Sequence, residues 1–214
     1  AKVISNYSGN EAFTIHKKIY TARYAKNGNV SFVLALNKHK KTLFIVDEAS
    51  MISDLPSQAK LFGSGSVLDD LMQYVYSGHQ CKLLLIGDTA QLPPVKLDIS
   101  PALNENNLEL NYNKNVIRVE LDEVVRQEQN SGILFNATLL RDALANQFFD
   151  NFKFNLDGYT DIVRLIDGHD IMYAINDAYS TLGNEETAII VRSNKLANLY
   201  NHHIRSRILY NDHE

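Results

Sequence analysis

Two short runs hold the residues whose types and spacing suit chemistry. In TLFIVDEASMI (residues 42–52), Asp47 and Glu48 follow five residues with the composition of a buried strand. Adjacent carboxylates at such a place suit a cation–phosphate site. One acid can hold Mg²⁺, usually through water because Mg²⁺ dehydrates reluctantly, and the next can orient or deprotonate an attacking water. Taken alone, the pair also reads as two acids capping the segment that follows. LLLIGDTAQLPPV (83–95) ends a second apolar run in the same manner. Gly87 lets the backbone pass close to a neighbour, Asp88 opens a turn, and Gln91 offers a donor and an acceptor for a phosphate or a water. By itself this run is a turn rich in Gly, Asp and Pro; two such strand ends joined by one crossover make coincidence a poor account.

The elements that position these residues follow from periodicity. TLFIV and KLLLI (82–86) lack the alternation of a half-wet strand, so both are expected to be buried on both faces. Between them SVLDDLMQYVYSGH (66–79) places Val67, Leu68, Leu71, Met72 and Val75 on one helical face, with Gly78 near its end. Strand, helix, strand implies a right-handed parallel crossover, and in open parallel sheets ligands collect at the carboxyl ends of the strands. Asp47, Glu48 and Asp88 fall there.

The second half repeats the grammar. NVIRVEL (115–121), DIVRLI (161–166) and TAIIVR (187–192) read as strands. SGILFNATLLRDAL (131–144), HDIMYAINDAYSTLG (169–183) and KLANLYNHHIRSRIL (195–209) read as helices, the first with Ile133, Leu134, Ala137, Leu140 and Leu144 inward. The chain is α/β throughout. Between the halves, residues 92–115 are polar, Asn-rich and hold three of the four prolines, the signature of a linker or exposed loop.

Composition bounds the function. The 214 residues are 45% hydrophobic, enough for a real core, and no apolar run approaches the roughly 18 residues of a membrane span. The opening AKVISNYSGN lacks the apolar core of a signal peptide, and a single Cys81 fits a reduced thiol, so the expected compartment is cytoplasmic. A net charge of −4 and a pI of about 6.0 do not advertise a nucleic-acid binder, so such binding must be local. NKHKK (37–41) and HHIRSR (202–207) are the basic clusters, and each also reads as a solvated face.

These runs resemble a known family. TLFIVDEASMI is similar to helicase motif II, the Walker B element; LLLIGDTAQLPPV to motif III of superfamily 1 DNA helicases; VVRQ (124–127) to their motif IV. The string G-D-x-x-Q-L-P-P-V with D-E-A-S upstream resembles the RecD-like branch, including the alpha subunit of exodeoxyribonuclease V. FTIHKKIY (13–20) is similar to its T-x-H element, AKVI to the tail of motif Ia, and AIIVRSNKLANLYNHHIR (188–205) to a strand and helix of the second motor domain. The resemblance implies P-loop NTPase architecture with two partial RecA-like domains, 1–112 and 113–214, ATP bound between them and single-stranded DNA across both.

It further implies roles. Asp47 would hold Mg²⁺ through water, Glu48 would act as base or positioner of the attacking water, Gln91 would contact the γ-phosphate, and Arg126 would reach in as an arginine finger. As an ordinary surface residue, Arg126 would instead pair with Glu123 or Glu128. Thr14 and His16 would lie near the DNA, though they also read as a helix cap and a packed surface residue. Asn194, Lys195 and Asn201 match the late element, where Asn194 is also a good N-cap. Tyr112 is a candidate for base stacking. Subunits of a nuclease–helicase complex would be partners, and no membrane is implied.

The chain departs from the family in two respects. It contains no G-x-x-x-x-G-K-[ST], the loop whose backbone amides and Lys bind phosphates, and no counterpart of motifs V and VI. Because it opens where motif Ia would be finishing, the resemblance implies a fragment of a longer helicase, inactive alone; a natural pseudo-enzyme is the other reading. Two further classes remain: a non-catalytic nucleic-acid-binding module, and a metal-dependent phosphohydrolase or nuclease with Asp47, Glu48 and Asp88 as direct ligands.

Overall fold

The computed structural model describes residues 1–24, 28–56, 61–121, 131–148 and 152–208. The chain divides into two compact units, Ala1–Glu123 and Val124–Glu214.

In the first unit, two short helices, α1 (Lys2–Ser8) and α2 (Ile15–Ile19), lead into strands β1 (Tyr20–Tyr24) and β2 (Val30–Leu34). These form an antiparallel hairpin with Tyr20 opposite Leu34 and Tyr24 opposite Val30. Then come β3 (Leu43–Val46), α3 (Val67–Ser77) and β4 (Lys82–Leu85), with β3 and β4 parallel in the register Leu43 to Lys82 and Val46 to Leu85. The strand–helix–strand pattern read from periodicity is present. Ser66 caps α3 by accepting from the Asp69 amide, and Leu68, Leu71, Met72, Tyr74 and Val75 are buried along its inner face.

Among the described residues, β3 and β4 are covered on one face only. Phe44, Val46, Leu83 and Leu85 pack against the core, whereas Leu43 is 54%, Ile45 62%, Leu84 43% and Ile86 45% exposed. The expectation of strands buried on both faces is therefore corrected. Apolar composition reports that a face is suited to cover, and a second layer must lie there before it is buried.

Residues 92–99 form the expected exposed loop, but the segment from Ser100 on is not a linker. A 3-10 turn at Pro101–Leu103 and helix α4 (Glu105–Tyr112) put Ser100, Ala102 and Leu108 into the core. The small Ser100–Pro101–Ala102 sequence fits against the turn that follows β3, and the four buried residues Ser100, Pro101, Ala102 and Leu108 outweigh the polar residues around them. Tyr112 packs half-buried at the edge of the same core and donates its hydroxyl to Asp69 Oδ1. The hairpin β1–β2 was not anticipated, although Asn27-Gly28 between two β-rich runs is the turn signal for one. Its first residue is tied to α3: the Tyr20 hydroxyl donates to buried Asp70 at 2.6 Å, and Asp70 also accepts from the Ser64 amide.

The second unit has helices α5 (Gly132–Ala145), α6 (Gly168–Thr181) and α7 (Asn194–Arg207) near the expected positions. Ser131 caps α5, and Asp161 adds its carboxylate to the same end, accepting from Ser131 Oγ, Gly132 N and Ile133 N. Those bonds, the Ser131 hydroxyl first, hold Asp161 below the usual carboxylate range. The expected strands at 115–121, 161–166 and 187–192 form no ladder among the described residues. α5 likewise does not bury its apolar stripe: Ile133, Leu140 and Leu144 are exposed, and its buried residues are Gly132 and Asn136. Both corrections have one cause. A helix forms its own hydrogen bonds, but a strand exists only with a partner, and an apolar stripe is buried only when a sheet stands against it.

Among the described residues no helix is long and apolar enough to cross a membrane.

Candidate nucleotide site at the ends of two parallel strands

The site is built from the carboxyl ends of β3 and β4. The Ile86 amide donates to the Val46 carbonyl at 2.8 Å, extending the parallel ladder by one residue. The chain then turns through Asp47 and Glu48 into a 3-10 turn, Ala49–Met51, and the Ala49 amide donates back to the Ile86 carbonyl at 2.8 Å. Asp47 and Glu48 thus lie beside Ile86 and Gly87, and the two runs singled out by sequence form one surface.

Glu48 adopts the left-handed conformation, φ 56° and ψ 39°. For a residue with a Cβ this costs on the order of 1–2 kcal/mol and persists only where surrounding bonds fix it. Here the Met51 amide donates to the Glu48 carbonyl, and Asp47 Oδ1 accepts from the Glu48 amide at 3.0 Å. Both carboxylates are exposed. Gly87 is required by space: a Cβ there would sit 2.8 Å from Ser50 N, 2.9 Å from Leu103 Cδ1 and 3.3 Å from Ala49 N. Asp88 Oδ1 accepts from Ala90 N and its carbonyl from Gln91 N, so 88–91 is a tight turn that leaves Gln91 exposed. Ser50, in the turn itself, is buried, and its Oγ is the one buried side-chain polar atom without a hydrogen-bond partner among the described residues.

The family model for the AAA domain matches residues 1–153, which include both strand ends. The chain belongs to the AAA domain family. AAA domains are P-loop NTPases that bind ATP, usually with Mg²⁺, and helicase-type motors are among them. No curated protein and no solved structure matches the chain.

The residues present fit the metal half of such a site. Exposed oxygen ligands on one or two carboxylates are how Mg²⁺ is held when water and phosphate supply the remaining positions. No group of three or more His, Cys, Asp or Glu able to hold a metal occurs among the described residues. Asp47, Glu48 and Asp88 therefore do not converge as the direct ligands that the nuclease reading of this AAA domain requires.

The other expected residues are placed as follows. Thr14 caps α2, its Oγ1 accepting from Lys17 N, and the His16 ring lies edge-on to Phe62 at 4.9 Å. Asn194 opens α7 but does not cap it; Ser193 does, accepting from Leu196 N, so that detail is corrected. Ser193 has the extended backbone of a cap, whereas Asn194 is already the first residue of the helix. Lys195 and Asn201 are exposed on α7. Arg126 lies outside the described residues. An open depression of about 530 Å³, lined by Lys41, Thr42, Leu43, Gln80, Cys81 and Lys82, sits at the amino ends of β3 and β4, away from the carboxylates. Sequence reasoning missed Ser100. Its hydroxyl donates to the carbonyls of Ala49 and Ile52, at 2.8 and 2.7 Å, and only its place before a proline hints at a cap.

Proposed function

We propose that the chain is part of an ATP-dependent DNA helicase or translocase motor of the RecD-like branch, coupling nucleotide hydrolysis to movement on single-stranded DNA. The observation that carries this reading is the bond from Ala49 N to Ile86 O, which joins the D-E-A-S turn to the strand leading into G-D-x-x-Q. Asp47 would hold Mg²⁺, which supplies charge neutralisation on the phosphates when bound. Glu48 positions or deprotonates the attacking water. Gln91, exposed where its turn closes, contacts the terminal phosphate and transmits its presence toward DNA. Arg126 is assigned the finger role by resemblance alone, and Thr14, His16, Asn194, Lys195 and Asn201 the DNA contacts. An exodeoxyribonuclease V-type complex is the matching assembly.

The test is Gln91→Ala in a polypeptide that carries a phosphate loop ahead of Ala1. DNA-stimulated ATPase and unwinding should fall by about 10- to 100-fold, the worth of a hydrogen bond to a charged group, while ATP affinity changes less. Unwinding at the wild-type rate would make Gln91 a turn residue only.

A further inference from the structure

We infer that Ser100 is a positioning residue for Glu48; the inference rests on the reading of Glu48 as the residue that directs the attacking water. Ser100 is 2% exposed and lies 51 residues beyond Ala49 in sequence. Its hydroxyl carries one proton, shared between the carbonyls of Ala49 at 2.8 Å and Ile52 at 2.7 Å, and its oxygen accepts from Ala102 N at 3.2 Å. One side chain therefore closes the carbonyl end of the 3-10 turn and starts the 101–103 turn at once.

The consequence falls on Glu48. Its left-handed backbone is unfavourable without support, and Ala49, the next residue, is held by Ile86 through its amide and by Ser100 through its carbonyl. Among the described residues the turn's own hydroxyl, Ser50 Oγ, has no hydrogen-bond partner that could share this hold. Leu103, on the turn that Ser100 starts, presses against Gly87, so the same segment also backs the second strand end. Removing the Ser100 hydroxyl leaves the buried Ile52 carbonyl to find another donor and the Ala49 carbonyl with the Ile52 amide alone, and the turn relaxes toward ordinary φ at Glu48. The carboxylate then loses its fixed direction, while β3, α3 and β4 keep their ladder and core.

NMR of the intact 214-residue chain tests this. In the wild type, Glu48 should give the strong intraresidue amide–Hα contact of a positive φ, and the Met51 and Ile52 amides should be protected from exchange. With Mn²⁺ alone added, line broadening should centre on Asp47 and Glu48. In Ser100→Ala the positive-φ signature should vanish, exchange at Met51 and Ile52 should rise at least about tenfold, and broadening at Glu48 should weaken, with the Ile86 amide still protected. Ser100→Thr, which keeps the hydroxyl, should retain the wild-type pattern. Loss of protection throughout β3 and β4 in Ser100→Ala would overturn the inference in favour of a general packing role. An unchanged Glu48 signature with unchanged broadening would overturn it and leave the nucleotide site standing. Absence of broadening at Asp47 and Glu48 in the wild type would instead overturn the site reading, and the positioning role with it.

Discussion

The amide of Ala49 donates to the carbonyl of Ile86 at 2.8 Å, so the turn carrying the first acids hangs from the end of the neighbouring strand. Asp47, Glu48 and the Gly87–Gln91 turn are one structural unit for that reason, although 40 residues separate Asp47 from Gly87. What disturbs either strand end should be felt at the other.

Gly87 is the closest point of that unit. In Gly87→Ala the added carbon meets backbone nitrogen of Ser50 and Ala49 as well as Leu103 Cδ1. The side chain can move and the backbone cannot. Gly87→Ala should destabilise by about 1–3 kcal/mol, the cost of overpacking a tight site. Pairing it with Leu103→Ala should recover only part of the loss in chemical denaturation. Full recovery would mean that the turn is softer than its contacts imply.

Glu48 sets stability against function. Glycine takes positive φ without the Cβ clash but loses more conformational freedom on folding, and the two effects, each about 1 kcal/mol, oppose. Glu48→Gly should therefore melt close to wild type even though it removes the proposed base. Glu48→Val, β-branched at φ 56°, should melt clearly lower. Equal melting temperatures for the two variants would contradict the left-handed assignment.

Tyr20 gives a pH dependence with a definite sign. Burial chiefly, then its hydrogen bond to Asp70 and that carboxylate's charge, push the Tyr20 phenol far above the ordinary 10. Below about pH 10 both folded and unfolded chains keep the proton, so the contribution to stability is fully present. Above it the unfolded chain ionises first, and stability falls until the folded phenol ionises as well. Denaturation midpoints should decline above pH 10, and the decline should shrink in Tyr20→Phe. That variant should also lose about 1–3 kcal/mol at neutral pH from the bond to Asp70. Tyr112, raised by burial and by Asp69, and Tyr74 and Tyr76, raised chiefly by burial, contribute to the remaining slope.

The local elements of this chain were legible, and its long-range pairings only in part. α3 could be read from Leu68, Leu71, Met72 and Val75, and β3 and β4 from their apolar runs, because each signal is contained within a few residues. The acids at the end of β3 could be placed because a parallel crossover fixes which strand ends share a side. Ser100 could not, because its value lies in carbonyls 51 and 48 residues away, and no local pattern encodes such a contact. Nothing local to α3 shows that Asp70 is buried, because the groups that satisfy it, Tyr20 and Ser64, lie outside the helix. The runs at 115–121, 161–166 and 187–192 show the opposite failure. Their β-branched residues state a preference, and a ladder requires a partner that composition does not name.

The central claim is that Asp47 and Glu48 act on a Mg²⁺-bound nucleotide, and one comparison tests it most directly. In a polypeptide that supplies the phosphate loop ahead of Ala1, ATP affinity and single-turnover hydrolysis are measured for wild type and Glu48→Gln. The amide keeps the shape of the side chain and cannot take a proton. Hydrolysis should fall by about 10²–10⁴, the range for loss of a general base, with ATP affinity within about threefold of wild type. Hydrolysis by Glu48→Gln at the wild-type rate would contradict the account and leave the two acids as the cap of a turn.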